Sequence, residues 1–142
     1  MISLSNTTGH AVRALACLVD CRNPPASIKD LAECSGVPPA YLAKILKTLN
    51  KAGIIESKRG RGGGIWLARP PRFISLLDIG IAVEGDELFG ACLFGLESCV
   101  DGCGCPAHKF WAKQRKVMRR ELSQINLSDA IGLHTARVKI DE

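Results

Sequence analysis

Near the middle of the chain, Arg59-Gly60-Arg61-Gly62-Gly63-Gly64 joins two short runs of strand-forming residues, Ile54-Ile55-Glu56-Ser57-Lys58 and Ile65-Trp66-Leu67-Ala68. The arrangement reads as a β-hairpin with a glycine-rich, basic tip. What precedes it reads as helical. Ala11, Leu15, Leu18 and Val19 recur at i, i+4, i+7 and i+8, a stripe that begins after Ser5 and stops at Asn23-Pro24-Pro25. Ser27 and Asp30 form a box-like cap for a short second helix with Leu31 and Ala32 inward. Ser35-Gly36-Val37 turns the chain, and Pro39 suits the first turn of a third helix. Leu42, Ile45, Leu46 and Leu49 form the stripe that this helix buries before Gly53 ends it. These parts, in this order, compose a winged helix-turn-helix.

The second half adds a different layer. Ser75 and Asp78 cap a fourth helix over Leu76, Leu77, Ile79, Ala82 and Val83. Pro106 opens a long helix in which Trp111, Met118, Leu122 and Ile125 follow a heptad-like seam, ringed by Lys109, Lys113, Arg115, Lys116, Arg119 and Arg120. A single helix with such a stripe must bury it somewhere, and a two-fold partner is the simplest place, so a homodimer is expected. Leu127 to Ile131 suggests a short final helix, and the tail from Arg137 looks frayed. The expected fold class is mostly α with a small β-hairpin wing. Residues 1–84 form the DNA-binding domain, 85–108 a cysteine-rich loop, and 109–142 the dimerisation helix and tail.

Composition narrows the function. At 142 residues, 46% hydrophobic and 23% charged, the chain fits one ordinary globular domain with an appended element. It is too short for a barrel enzyme or a two-domain dehydrogenase. No stretch approaches the roughly 18 apolar residues of a membrane span, and no secretory leader pattern opens the chain. A cytoplasmic protein with no membrane partner is expected. There is no Ser-His-Asp set and no pair of carboxylates in a hydrophobic frame. The glycine run lacks the Gly-Lys-Ser/Thr ending of a phosphate-binding loop. An enzyme is not expected.

Charge points elsewhere. Between Tyr41 and Arg72 stand Lys44, Lys47, Lys51, Lys58, Arg59, Arg61, Arg69 and Arg72 against Glu56 alone, a local +7 that exceeds the whole chain's +5. The basic character therefore belongs to the third helix and hairpin, the electrostatic footprint of a face for double-stranded DNA. The residues assigned to it are Ser27, Pro39, Tyr41, Lys44, Lys47, Thr48, Arg59, Gly60, Arg61 and Gly62. The N-terminal part of the third helix is expected at base edges in the major groove. Tyr41, Lys44, Thr48 and Lys51 share the face opposite its apolar stripe. Arg59 and Arg61 could reach an adjacent minor groove.

Seven cysteines complete the inventory. In a reducing compartment a disulfide framework is disfavoured, and Cys17, Cys21 and Cys34 read as buried small hydrophobes. Cys92, Cys99, Cys103 and Cys105 crowd into fourteen residues. They lie in a stretch, 84–105, with five acids and no Lys or Arg. Cys92-x6-Cys99-x5-Cys105-x2-His108 offers three thiolates and an imidazole at the mouth of a helix, soft ligands suited to an iron–sulfur cluster, zinc or Cu(I). Cys103 is a fifth candidate. Zinc on Cys99, Cys103, Cys105 and His108 is possible, although Cys103-Gly104-Cys105 is too tight for a standard knuckle.

Taken together, SNTTGHAVRAL, the block IKDLAECSGVPPAYLAKILKTLNKAGIIESKRGRGGGIWLAR, ISLLDIGIAVEG, the cysteine loop and CPAHKFW resemble the IscR/NsrR-type family of bacterial winged-helix regulators. The resemblance covers nearly the whole chain and is most specific over 28–69. It implies a homodimer crossed through the long helix, with two winged helices on a palindromic operator. It also implies a [2Fe–2S] or [4Fe–4S] cluster on three loop cysteines and a variable fourth ligand, whose state sets DNA affinity. By correspondence with the family, Cys92, Cys99 and Cys105 are the three cysteines and His108 the fourth ligand. The x6 interval, where x5 is expected, and the additional Cys103 both make Cys103 an alternative fourth ligand. Gly9 falls near the place where one branch of the family draws a carboxylate from the partner subunit. The polar choices there are Asn6, Thr7, Thr8 and His10, with His10 read as packing on the first helix. The expected function is a sequence-specific transcription regulator, a repressor, controlled by an iron–sulfur cluster; the alternative keeps the winged helix and replaces the cluster with zinc or thiol redox chemistry.

Overall fold

The computed structural model describes residues 4–22, 24–85, 88–89, 92–94 and 104–132. In chain order these form α1 (Asn6–Val19), α2 (Ile28–Ser35), α3 (Pro39–Lys51), β1 (Ile55–Lys58), β2 (Gly64–Leu67), α4 (Leu76–Glu84) and α5 (His108–Gln124). Single 3-10 turns cover Pro71–Phe73 and Leu127–Ala130. The order is that of a winged helix-turn-helix followed by a long helix, as expected.

Local chemistry accounts for the boundaries. Ser27 and Asp30 make a complete capping box, each satisfying a backbone N–H of the other, and Ser75 and Asp78 do the same for α4. The turn between α2 and α3 is held by one hydroxyl. Ser35 Oγ donates to the Leu31 carbonyl at 2.6 Å and accepts from the Val37 N–H at 3.3 Å, while Gly36 takes the left-handed φ of 72° that ends α2. Pro39 opens α3, where a missing N–H costs nothing.

The hairpin pairs β1 and β2 antiparallel in the register Ile55↔Leu67 to Lys58↔Gly64. Ala26 extends it by exchanging both backbone hydrogen bonds with Ile65, so the segment before α2 is tied to the wing. A Cβ at Gly64 would lie 2.7 Å from the Pro25 Cβ, and one at Gly63 would collide with the Lys58 carbonyl oxygen. Backbone approaches backbone here too closely for any side chain.

One core joins these pieces. Leu15, Leu31, Val37, Leu42, Leu49, Ile54, Ile55, Ile74, Ile79 and Leu127 are nearly or fully buried in it. Leu127 is held by its N–H on the Ile74 carbonyl at 2.8 Å, so the chain after α5 returns to the winged domain. Leu42→Ala is expected to cost about 2–5 kcal/mol, the range for a buried leucine whose site cannot collapse. Urea unfolding of the two proteins measures it.

Two expectations need correction. Cys17 and Cys34 are not independent small hydrophobes: they are joined by a disulfide between α1 and α2, and Cys34 is exposed. Packing of two helices brings together residues whose spacing alone announces no pairing. His10 packs across to α3, its ring perpendicular to that of Tyr41 with centroids 5.5 Å apart. Both rings lie where α1 meets the first turn of α3.

The long helix meets its expectation in part. Trp111 is buried within the chain, Met118 and Leu122 are half-buried, and Ile125 is 39% exposed. Phe110, beside the seam, is 57% exposed. Packing of α5 on α4 thus covers the start of the stripe and leaves its end open. Among the described residues, no helix is long and apolar enough to cross a membrane.

Candidate nucleic-acid interface and cysteine loop

The amphipathic pattern of α3 sets which side chains it can offer. With Leu42, Ile45, Leu46 and Leu49 buried, the exposed face is centred on Lys44, Lys47 and Lys51, and Tyr41 and Thr48 lie towards its edge. A cleft of about 690 Å³ separates α3 from the wing, lined among others by Ser27, Lys47, Asn50, Lys58, Arg59 and Gly60. Asn50 Nδ2 donates to Ser57 Oγ at 3.3 Å, which links α3 to β1. Arg61 and Gly62 stand exposed at the tip. Pro39 is exposed at the start of α3.

Seven of the ten residues assigned to DNA therefore fall into two groups, with Pro39, Arg61 and Gly62 exposed outside both. Ser27, Lys47, Arg59 and Gly60 border the cleft. Tyr41, Lys44 and Thr48 line a smaller hollow of about 110 Å³ with Thr7 and Val83, on the side of α1 and α4. The Tyr41 hydroxyl is 2.5 Å from Thr7 Oγ1, so its tip is engaged by α1. Thr48 Oγ1 donates to the Lys44 carbonyl at 3.2 Å. Two members of the +7 stretch are partly diverted. Arg69 lies 3.6 Å from the Asp78 carboxylate, and the Arg72 guanidinium stacks over the Phe73 ring at 4.7 Å. The remaining basic residues, Lys44, Lys47, Lys51, Lys58, Arg59 and Arg61, are all exposed.

A second set of contacts joins the end of α4, where the cysteine loop begins, to the start of α1. Glu84, the last residue of α4, accepts from the Ser5 backbone N–H at 2.7 Å and from Thr8 Oγ1 at 2.9 Å. It thereby caps α1 from another helix. Burial opposes ionisation of Glu84, but the hydrogen bonds from Ser5 and Thr8 outweigh it and hold the carboxyl below its ordinary value. Ionised Glu84 stabilises the fold above the ordinary carboxylate pKa, and that contribution is lost as pH falls through the lowered native value. Glu84→Gln is expected to cost about 1–2 kcal/mol at neutral pH and to flatten the acid limb of a stability-versus-pH curve. Thermal melts from neutral to acid pH check both.

Beyond Glu84 the chain is clasped again. Leu88 packs on Gly80, where an added Cβ would lie 2.7 Å from the leucine Cδ2, and the Leu88 carbonyl accepts from Arg119 Nη2 of α5 at 2.8 Å. Cys92 is buried, and its Sγ accepts from the Phe94 N–H at 3.4 Å. Cys105 is half-buried, and its carbonyl accepts from the N–H of His108, the first residue of α5, at 3.2 Å. Cys99 and Cys103 lie outside the described residues. Among the described residues, no three His, Cys, Asp or Glu side chains converge as a metal site.

Sequence reasoning missed Thr7 as the partner of Tyr41, Glu84 as the cap of α1, and the Leu88 clasp. Thr7 and His10, one turn apart on α1, carried a signal in their i, i+3 spacing. The other two pair residues 76 or more and 31 apart, beyond the reach of any local pattern.

A three-helix reading domain, a basic wing and an exposed lysine face define a winged helix-turn-helix DNA-binding regulator. Residues 4–132 match the model of the Rrf2 family, described as an iron-dependent transcriptional regulator. The chain belongs to the Rrf2 family of transcription regulators and is not an enzyme. It is 34% identical over 105 residues to protein rrf2 of Nitratidesulfovibrio vulgaris, a match that covers 74% of this chain and 70% of that one. Among solved structures it is similar to T. potens IscR, with TM-score 0.69 and 28% identity over 99% of this chain and 93% of that one. CymR, the global cysteine regulator of B. subtilis, shares the fold with TM-score 0.76 and 24% identity, over 94% and 98% of the two chains.

Proposed function

We propose that this chain is a cytoplasmic, homodimeric repressor that binds a palindromic operator, with its affinity set by a [2Fe–2S] or [4Fe–4S] cluster. Cys92, Cys99 and Cys105 are the thiolate ligands and His108 the fourth, with Cys103 as its alternative. The observation that carries this reading is the attachment of the loop to both the reading domain and α5. Glu84, at the loop's entry, holds the N-terminus of α1; α1 in turn holds Tyr41 through Thr7. Leu88 and His108 tie the two ends of the loop to α5.

The donor set fits a cluster. Thiolates and an imidazole are the ligands iron–sulfur centres take, and Cys92 Sγ already accepts a backbone N–H. When bound, a cluster supplies a rigid, redox-responsive cross-link within the loop. The chain's own residues do the rest. Arg119 fixes the entry of the loop on α5, Glu84 transmits the position of α4 to α1, and the lysines of α3 with Arg59 and Arg61 contact phosphate and base edges. The uncovered end of the α5 stripe, with Ile125 exposed, and the exposed Phe110 beside its start provide the seam for a second copy. Two reading heads then meet half-sites about one helical turn apart.

The test is DNA affinity in the two metal states. A duplex selected by the protein from a random-sequence pool is titrated by fluorescence anisotropy, with anaerobically purified protein before and after iron chelation. A change within the roughly 5–150-fold range of typical coupling is expected. Identical affinities overturn the sensing half of the proposal. A second reading, thiol chemistry in place of the cluster, draws support from the oxidised Cys17–Cys34 pair, and it predicts iron-free protein whose DNA affinity follows thiol oxidation and ignores chelation.

A further inference from the structure

Cys17 and Cys34 lie outside the loop that carries the other clustered cysteines. Their Cα atoms are 6.1 Å apart, a separation that a disulfide spans without backbone movement. The two sulfurs are unequal in access: Cys17 is 3% exposed within the core, whereas Cys34 is an exposed residue on the last turn of α2. Cys34 also directly precedes Ser35, whose hydroxyl shapes the turn into α3. The bond therefore sits at the point where α1 meets the helix-turn-helix.

We propose that Cys17 and Cys34 form a reversible thiol–disulfide site, oxidised by a peroxide and reduced by a dithiol, that sets how firmly the helix-turn-helix is held on α1. It operates independently of the loop cysteines and whether or not the loop holds iron. Oxidation begins at the accessible sulfur. The Cys34 thiolate attacks a peroxide oxygen and breaks the O–O bond, forming a sulfenic acid and releasing hydroxide, which takes a proton to become water. The Cys17 sulfur then attacks the Cys34 sulfur. The S–S bond forms, and the sulfenic hydroxyl leaves with the Cys17 proton as a second water. Two thiols lose two electrons and two protons, and one peroxide becomes two waters. In reduction a dithiol thiolate attacks Cys34, the exposed sulfur, and Cys17 departs and is protonated; the second thiol of the reductant resolves the mixed disulfide.

Leu15, Leu18 and Leu31 pack in one continuous core around the bond, so reduction is expected to leave the domain folded. What opens is a cross-link between residues 17 apart in sequence, which restricts the open states of α2 and the turn. Cys21, four residues after Cys17 and half-buried, is the competing partner.

The experiment uses the full chain, both wild type and with Cys92, Cys99, Cys103 and Cys105 changed to Ala. Each is treated with hydrogen peroxide or with a dithiol, then thiol-blocked, digested and mapped by mass spectrometry, with amide exchange measured in parallel. The expected result is a Cys17–Cys34 cross-linked peptide after peroxide in both proteins, reversed by the dithiol. On reduction, exchange in α2 and the turn should rise on the order of tenfold. Cys34→Ser, an exposed and conservative change, should show the faster exchange in both conditions, and Cys17→Ala provides the same control from the buried side. Pairing of Cys34 with Cys21, a Cys34 that stays reduced under peroxide, or exchange in α2 that ignores the redox state would each overturn the proposal.

Discussion

Cys92→Ala protein prepared without oxygen is expected to be colourless and to carry little iron or sulfide, beside wild type that shows the visible absorption of an iron–sulfur centre. The expectation rests on position as well as on ligand type. Cys92 is buried, its sulfur accepts a backbone N–H, and it follows the Leu88 clasp between α4 and α5. Loss of an outer partner at a metal site typically costs roughly 10–100-fold in affinity, and loss of a thiolate ligand costs more. Cys99→Ala and Cys105→Ala are expected to match Cys92→Ala. His108→Ala and Cys103→Ala separate the candidates for the fourth ligand, because only the true ligand's loss shifts the spectrum. Full colour, iron and sulfide in Cys92→Ala would remove it from the ligand set.

The second large effect concerns DNA. Replacing Lys44 and Lys47 together by Ala is expected to weaken duplex binding and to flatten its salt dependence. Each phosphate that a side chain no longer neutralises lowers the slope of log affinity against log salt by about 0.9 on B-DNA, so the double variant should show nearly twice that reduction. Both lysines are exposed on the centre of the α3 face, so helix content and melting temperature should stay close to wild type. Arg59 and Arg61 provide the contrast. If they enter a minor groove, their replacement should also relax sequence preference, which removal of a uniform phosphate interaction does not do. A salt slope unchanged in the double lysine variant would remove α3 from the interface.

Much of the fold was legible because its signals are local. The stripe Leu42, Ile45, Leu46 and Leu49 requires only the helical period, and Ser27 with Asp30 or Ser75 with Asp78 requires only a three-residue interval. The wing was legible because two strand-forming runs flank a glycine-rich tip, and backbone crowding at Gly63 and Gly64 is the reason glycines stand there. Contacts between distant segments were not legible. The Cys17–Cys34 bond, the grip of Glu84 on α1 and the engagement of Tyr41 by Thr7 each depend on how helices pack, which periodicity does not specify. Arg69 shows the same limit: counted with the DNA face by charge, it stands against Asp78, the cap of α4.

The fastening of Leu88 has a consequence for how such regulators diversify. Because that residue is anchored to Gly80 on one side and Arg119 on the other, insertions or deletions farther along, before Cys105, need not disturb the helices on either flank. A lineage could exchange the segment in that interval while inheriting its winged helix-turn-helix unchanged.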